Sequence, residues 1–355
     1  MLTNTANARA TYLTLFTNWR VLGRIALTAL ILGASTDSVS APGAPPSVSN
    51  LPLQKVADIP LGGRPTRFDY ASLDAGRHLL FIAHLGDSEV IVFNTITSRV
   101  VGRIPNIASV HGVLAVSQLG RVYATATGAN EVVAIDIDTL QVTAHVPTGA
   151  YPDGMAYAPE ARKLYVSDKN GGTATVIDVS SNRPVASIPL GGEVGNAQYD
   201  SGSKHIFVNE QTHSELVEVD PERDQVIARI PLPGAKGNHG LLIDPAQNLA
   251  FIACEDNDRL VVLDLRTRLV KAMFGTGKAP DVLAYDEGRG LLYVAGEAGV
   301  VSMYRIGRDA VSKIGDGYIG ANAHVVAVDA DTHISYFPLR DVAGKPVLRV
   351  FGSNP

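Results

Sequence analysis

The chain has 355 residues, 46% of them hydrophobic, with 34 Gly, 20 Pro and a formal net charge of −5 at pH 7. That apolar fraction supports a sizeable core, and the Gly and Pro supply many chain reversals. No basic surplus or stripe is visible, and the first 40 residues hold Arg9, Arg20 and Arg24 against Asp37 alone, so the remainder is more acidic still; this argues against nucleic acid as a partner.

Residues 1–40 read as a signal peptide. Arg20 and Arg24 precede the apolar run Ile25 to Ala34, and Ser38-Val39-Ser40-Ala41 offers small residues for cleavage. The run is too short to span a bilayer comfortably, so no permanent membrane span is expected after cleavage, although a retained N-terminal anchor is the alternative reading. A periplasmic or secreted location follows. Residues 41–51, rich in Pro and Ser, read as a flexible linker.

From residue 52 to 355 the chain repeats. An aromatic residue in a short apolar run recurs at Phe81, Tyr123, Tyr165, Phe207, Phe251, Tyr293 and Tyr336, at spacings of 42, 42, 42, 44, 42 and 43. Each copy holds four short runs of Val, Ile, Leu and Tyr divided by Gly, Asp, Asn and Pro, which is strand-and-turn chemistry. A lone four-stranded sheet cannot bury both faces, and radial closure of units this long gives an all-β, seven-bladed β-propeller. The last copy stops after three strands, and Gln54 to Leu61 matches the fourth-strand run Gln225 to Leu232, so the N-terminal strand is expected to complete the last blade.

The runs Leu292-Tyr293-Val294-Ala295 and Leu164-Tyr165-Val166-Ser167, with Val132-Val133-Ala134-Ile135-Asp136 and Ile188-Pro189-Leu190-Gly191-Gly192, resemble the YVTN-repeat (YncE-like) β-propellers of bacteria. The resemblance covers about residues 52–355 and implies the fold; the family serves many purposes, so it implies little about function.

Twelve residues before each aromatic stand Asp69, His111, Asp153, Gly195, His239, Asp281 and His324. In a propeller this point enters the innermost strand, so these side chains, with Asn196, should ring one mouth of the central channel and bind a ligand there. Arg67, Tyr70, Gln198, Asn238 and Asn322 lie nearby in sequence, and His84, Glu210, Glu255 and Glu297 follow the second strands. Three imidazoles, His111, His239 and His324, could hold a divalent metal ion, a possible cofactor. The alternative is local: Asp or His before a strand often hydrogen-bonds the backbone of a turn.

Two functions follow. One is a binding or scaffold propeller taking a small molecule, metal or protein partner at the channel mouth. The other is a metal-assisted hydrolase or lyase, similar to propeller lactonases and streptogramin lyases, with His239 or His324 as general base and Glu255 or Glu297 as alternatives. There is no HExxH, GxSxG, Walker or CxxC signature, and Gly275-Thr276-Gly277-Lys278 reads as a turn between blades. Cys254, the single cysteine, sits in an apolar run and reads as a small buried hydrophobe.

Overall fold

The computed structural model describes residues 46–353 except Asp309; the expected signal peptide and its cleavage positions lie outside the described residues. Seven four-stranded antiparallel sheets make up the rest, and the protein is a seven-bladed β-propeller. In the third blade, for example, the strands are Pro152–Ala158, Lys163–Asp168, Thr173–Asp178 and Arg183–Pro189, running outward from the channel in chain order. The seventh sheet is built from Ala327–Asp329, Ile334–Val342 and Lys345–Ser353, and its outer position is filled by Leu53–Pro60 from the other end of the chain. Of the residues read as linker, Pro46 accepts a hydrogen bond from the Tyr318 amide at 2.8 Å, and Leu51 is buried beside Gly315 and Gly317.

The hairpins follow from aspartate. At the inner hairpins Asp74, Asp200, Asp244, Asp286 and Asp329 accept backbone N–H groups two or three residues ahead. At the outer hairpins Asn94, Asp136, Asp178, Asp220 and Asp264 do the same. Such side chains replace the missing turn partner and stabilise the reversal. The residue that ends many of these turns, such as Lys204, Asn248 or Arg268, takes a positive φ. Most of the acidic surplus of the chain is therefore turn chemistry.

The recurring aromatics are core residues. All seven are at most 4% exposed, and the apolar residues form seven clusters, one at each interface between neighbouring blades. The cluster holding Leu80, Ile82 and Phe93 of the first blade also holds Tyr336, Leu348 and Val350 of the last, so the core runs right round the ring. Cys254 lies in this core, fully buried, and burial pushes its thiol up to about 12. A thiol with so little thiolate is unreactive.

An ion pair joins the two chain ends in the seventh sheet. Arg349 donates from Nε and Nη2 to the two carboxylate oxygens of Asp58, each at 2.7 Å, and from Nη1 to the Ile319 carbonyl at 2.6 Å. The hydrogen bonds from Arg349 bring the Asp58 carboxyl down from 3.8 to about 2, against an opposing effect of burial. A depressed carboxylate contributes stability that is complete above its unfolded value and is lost as pH falls through the folded one. Because the pair is partly solvent-screened, Asp58→Asn should cost about 1–2 kcal/mol at pH 7. That deficit, measured by urea unfolding, should shrink as pH falls from 4 toward 2; a deficit that stays constant over this range would show that the carboxylate charge is not its source.

Candidate ligand site at the channel mouth

The innermost strands carry an irregularity at one repeated place. Their pairing with the second strands shifts between Val110 and Val113, Pro152 and Met155, Val194 and Ala197, Asn238 and Gly240, and Pro280 and Leu283. His111, Asp153, Asn196, His239 and Asp281 each lie inside one of these breaks. A β-bulge re-aims the side chain it carries. Asp69 and His324 stand just before the innermost strands of the first and seventh blades.

Glycine follows the ring residue in three blades for a steric reason. A Cβ on Gly112 would lie 2.2 Å from the Asp153 carbonyl oxygen, one on Gly154 2.4 Å from Asn196 Oδ1, and one on Gly240 1.9 Å from the Asp281 carbonyl oxygen. Adjacent blades thus touch backbone to backbone around the axis. Second-strand side chains hold the contact: Thr125 donates to the Asp153 carbonyl at 3.1 Å, and Asn209 donates to the carbonyls of His239 and Gly240 at 3.0 and 3.1 Å.

The side chains then converge from opposite blades. His239 Nε2 is 3.1 Å from the Tyr70 hydroxyl, 3.8 Å from Asp153 Oδ2 and 3.7 Å from Asp281 Oδ1. His324 Nε2 is 4.0 Å from Asp281 Oδ2, while its Nδ1 faces the Asn322 carbonyl at 3.1 Å. Gln211 fixes the other edge of His239, with Nε2 3.2 Å from Nδ1. Asp153, Asp281, His239 and His324 are all at most 6% exposed. Asp153 Oδ1, Asn196 Oδ1, Asp281 Oδ1 and His324 Nε2 are buried without a hydrogen-bond partner. A turn role does not explain the two carboxylates. The imidazoles of His111 and His324 do each bond a local carbonyl, of Ser109 and Asn322, through Nδ1.

The charges are unbalanced. Burial, then the nearby charge of Asp69, raises both the Asp153 and the Asp281 carboxyls; Asp281 also faces Glu297, Glu255 and Asp153. Burial pushes His239 down to about 3 and lowers His324 too, so both imidazoles are neutral at pH 7. Arg67 pairs with Asp69 at 3.2 Å and Glu297 at 2.6 Å, and Lys169 with Glu193 at 3.4 Å. Burial opposes the Lys169 charge, but Asp153, Glu255 and Glu193 hold its ammonium above the ordinary value. No arginine or lysine reaches Asp281 within ion-pairing distance among the described residues.

The remaining expected residues fall into three groups. His111 is at the mouth, but both its nitrogens are engaged: Nδ1 by Ser109 O at 2.8 Å and Nε2 by the Tyr151 hydroxyl at 3.0 Å. It borders a cleft of about 470 Å³ lined by Arg67, Leu85, Ser109, Thr127 and Tyr151. Glu255 and Glu297 flank the cluster; burial raises Glu255, and Glu297 accepts from Asn322 and Arg67. His84, Glu210 and Asn238 are structural. His84 stacks on Phe68 and contacts Thr66 and Glu89, Glu210 accepts the His213 amide, and Asn238 donates to the carbonyls of Glu210 and Glu215. Gln198 lines a 210 Å³ cavity in the channel beneath the ring. The other paired histidines, His145, His205, His213 and His333, each meet a nearby carboxylate away from the ring.

Sequence reasoning passed over Lys169, Gln211 and Tyr151. A signal for the first two exists: the position four residues after the aromatic reads Leu85, Thr127, Lys169, Gln211, Glu255, Glu297 and Arg340, a second ring at the same spacing.

No protein-family model matches the chain, and no curated protein matches it. Among solved structures it is similar to hydrazine synthase of Kuenenia stuttgartiensis, with a TM-score of 0.70 and 14% identity over 81% of this chain and 96% of that one. It is similar to a chain of the mitotic checkpoint complex at TM-score 0.70 and 13% identity, covering 93% and 100%. It also resembles virginiamycin B lyase from Staphylococcus aureus, at TM-score 0.69 and 12% identity over 84% and 98%. Identities this low establish a shared propeller fold and nothing more specific.

Proposed function

We propose that this protein is an exported binding propeller of the YVTN-repeat type, taking a small polar ligand at the channel mouth through Asp69, Asp153, Asn196, His239, Asp281 and His324. The family and the export rest on the repeat motifs and the leader at residues 1–40. The ligand site rests on one observation: four buried polar atoms from four different blades lack partners at the same mouth. Each such atom costs about 1–3 kcal/mol of stability, and a cluster of them is retained where a ligand satisfies it. A thermal-shift screen of small cationic, neutral and anionic compounds should find stabilisers whose effect disappears in Asn196→Ala and Asp281→Asn. A screen whose hits all persist in both variants would place ligand binding elsewhere.

A second reading, a metal-assisted hydrolase or lyase, is favoured by a cleft of about 470 Å³ that His111 lines at the same mouth where His239 and His324 approach buried carboxylates, room for a substrate beside a candidate ion site. One of the structural neighbours is a lyase by name. Under this reading the same two variants lose turnover of an ester or lactone panel together with binding; turnover retained in both removes it.

A further inference from the structure

The partnerless atoms at the mouth differ in chemistry from the local hydrogen-bonding groups around them. His324 has its Nδ1 against a backbone carbonyl, which sets the tautomer and leaves Nε2 as a buried lone pair with no donor facing it. A metal-ligating histidine is commonly held in this way, its other ring N–H donating to a carbonyl that fixes the ring and its tautomer. Asp281 lies 4.0 Å from this nitrogen and 3.7 Å from His239 Nε2, and Asp153 lies 3.8 Å from the latter. Two carboxylates and two imidazoles therefore lie along one connected path, at most 6% exposed, with one oxygen on each carboxylate unpartnered.

From this geometry we infer that the channel mouth binds one divalent transition-metal ion through His324 Nε2, Asp281, His239 Nε2 and Asp153. The inference rests on the proposed ligand site and names its occupant. Ligand atoms about 2.0–2.2 Å from a tetrahedral ion stand about 3.4 Å apart, so the neighbouring pairs along the path, at 3.7, 3.8 and 4.0 Å, need to contract by about half an ångström, and the ends of the path, Asp153 and His324, must fold in around the ion to close the set. Two carboxylates neutralise a 2+ charge, which removes the repulsion between buried anions. Mixed nitrogen and oxygen donors select zinc, manganese or cobalt over magnesium or calcium, which take oxygen ligands. His239 must present a lone pair at Nε2, and half a turn of the Gln211 amide supplies the acceptor that its Nδ1–H then needs. Tyr70, now 3.1 Å from that nitrogen, becomes a hydroxyl neighbour of the ion. Two clusters among the described residues bring three ligand atoms together: Asp281, Glu297 and His324 at the mouth, where Arg67 and Asn322 already hold the Glu297 carboxylate, and His84, Asp87 and Glu89, a poorer site because Arg64 and Arg103 occupy its carboxylates.

The test uses the mature protein, stripped with a chelator and dialysed, titrated by calorimetry with zinc chloride and separately with cobalt chloride. One ion per chain is expected, with visible cobalt bands of nitrogen and oxygen ligation. Asp281→Asn and His324→Gln should each weaken the titration about 100-fold or more, while Glu89→Gln in the other cluster should leave it unchanged. Circular dichroism establishes that each variant is folded. Absence of stoichiometric binding by folded wild-type protein, or unchanged binding in both mouth variants, overturns the inference. If zinc fails to bind but the compound hits of the thermal-shift screen remain sensitive to Asn196→Ala, the metal is refuted and the ligand site stands.

Discussion

Gly240→Ala is expected to destabilise the protein by about 3 kcal/mol or more, among the largest effects of a single added methyl group. The new Cβ would stand 1.9 Å from the Asp281 carbonyl oxygen and 2.8 Å from Leu283 Cδ1. The first contact is with backbone, which cannot rotate away, and the Asp281 backbone belongs to the next blade. The inner strands of the fifth and sixth blades must therefore move apart. Because His239 and Asp281 sit on either side of this contact, the substitution should spread the cluster as well as weaken the fold. Gly76→Ala is the matched control, since its Cβ would meet only Asp74 Oδ1 at 3.6 Å. Urea unfolding of both variants gives the comparison. A Gly240→Ala protein within about 0.5 kcal/mol of wild type would mean that the blades do not meet as closely as described.

Asp281→Asn should have the opposite effect on stability while abolishing ion binding. The native carboxylate is buried beside Asp69, Asp153, Glu255 and Glu297, and no lysine or arginine among the described residues pairs with it. Replacing an uncompensated buried charge by a neutral side chain of the same shape removes both desolvation and repulsion. The new amide can also donate toward His324 Nε2, 4.0 Å from the present Oδ2 and without a partner. The metal-free variant should be more stable than metal-free wild type by about 1–3 kcal/mol, read at pH 7 in the presence of chelator. Adding zinc should then stabilise wild type and leave the variant where it was. A loss of stability of 1 kcal/mol or more in the metal-free variant would mean that Asp281 is a satisfied structural residue. Stability sacrificed at one place in an otherwise consistent fold is the mark of a working site.

How much of this was legible in the residues differs between fold and site. The recurrence of Phe81, Tyr123, Tyr165, Phe207, Phe251, Tyr293 and Tyr336 was enough for the seven blades, because each repeat is a local unit whose strands and turns are written in its own residues. The ring at Asp69, Asp153, His239, Asp281 and His324 was visible by the same counting. Its meaning was not. Asp153 and Asp74 are both aspartates near a turn in the sequence, yet Asp74 accepts the Arg77 amide while Asp153 keeps an oxygen without a partner. His111 and His324 occupy equivalent positions, yet Tyr151 takes the outer nitrogen of His111 and nothing takes that of His324. Three histidines share one repeat position, yet His239 and His324 approach Asp281 while His111 is engaged by Ser109 and Tyr151. The glycines after His111, Asp153 and His239 serve as contact points between blades.

The sequence by itself determined the number of blades, the residues of their cores and the positions that face the channel. These depend on periodicity and on contacts within a repeat or between successive repeats. Only the tertiary structure decided which ring members meet. His239 touches Tyr70 across 169 residues, and His324 approaches an aspartate of the preceding blade. Such distances depend on the bulge that aims each side chain, the glycine that lets two strands close up, and the neighbour that does or does not supply a donor. Those are properties of the closed ring, which brings chemically unlike repeats to one axis; no single repeat contains them.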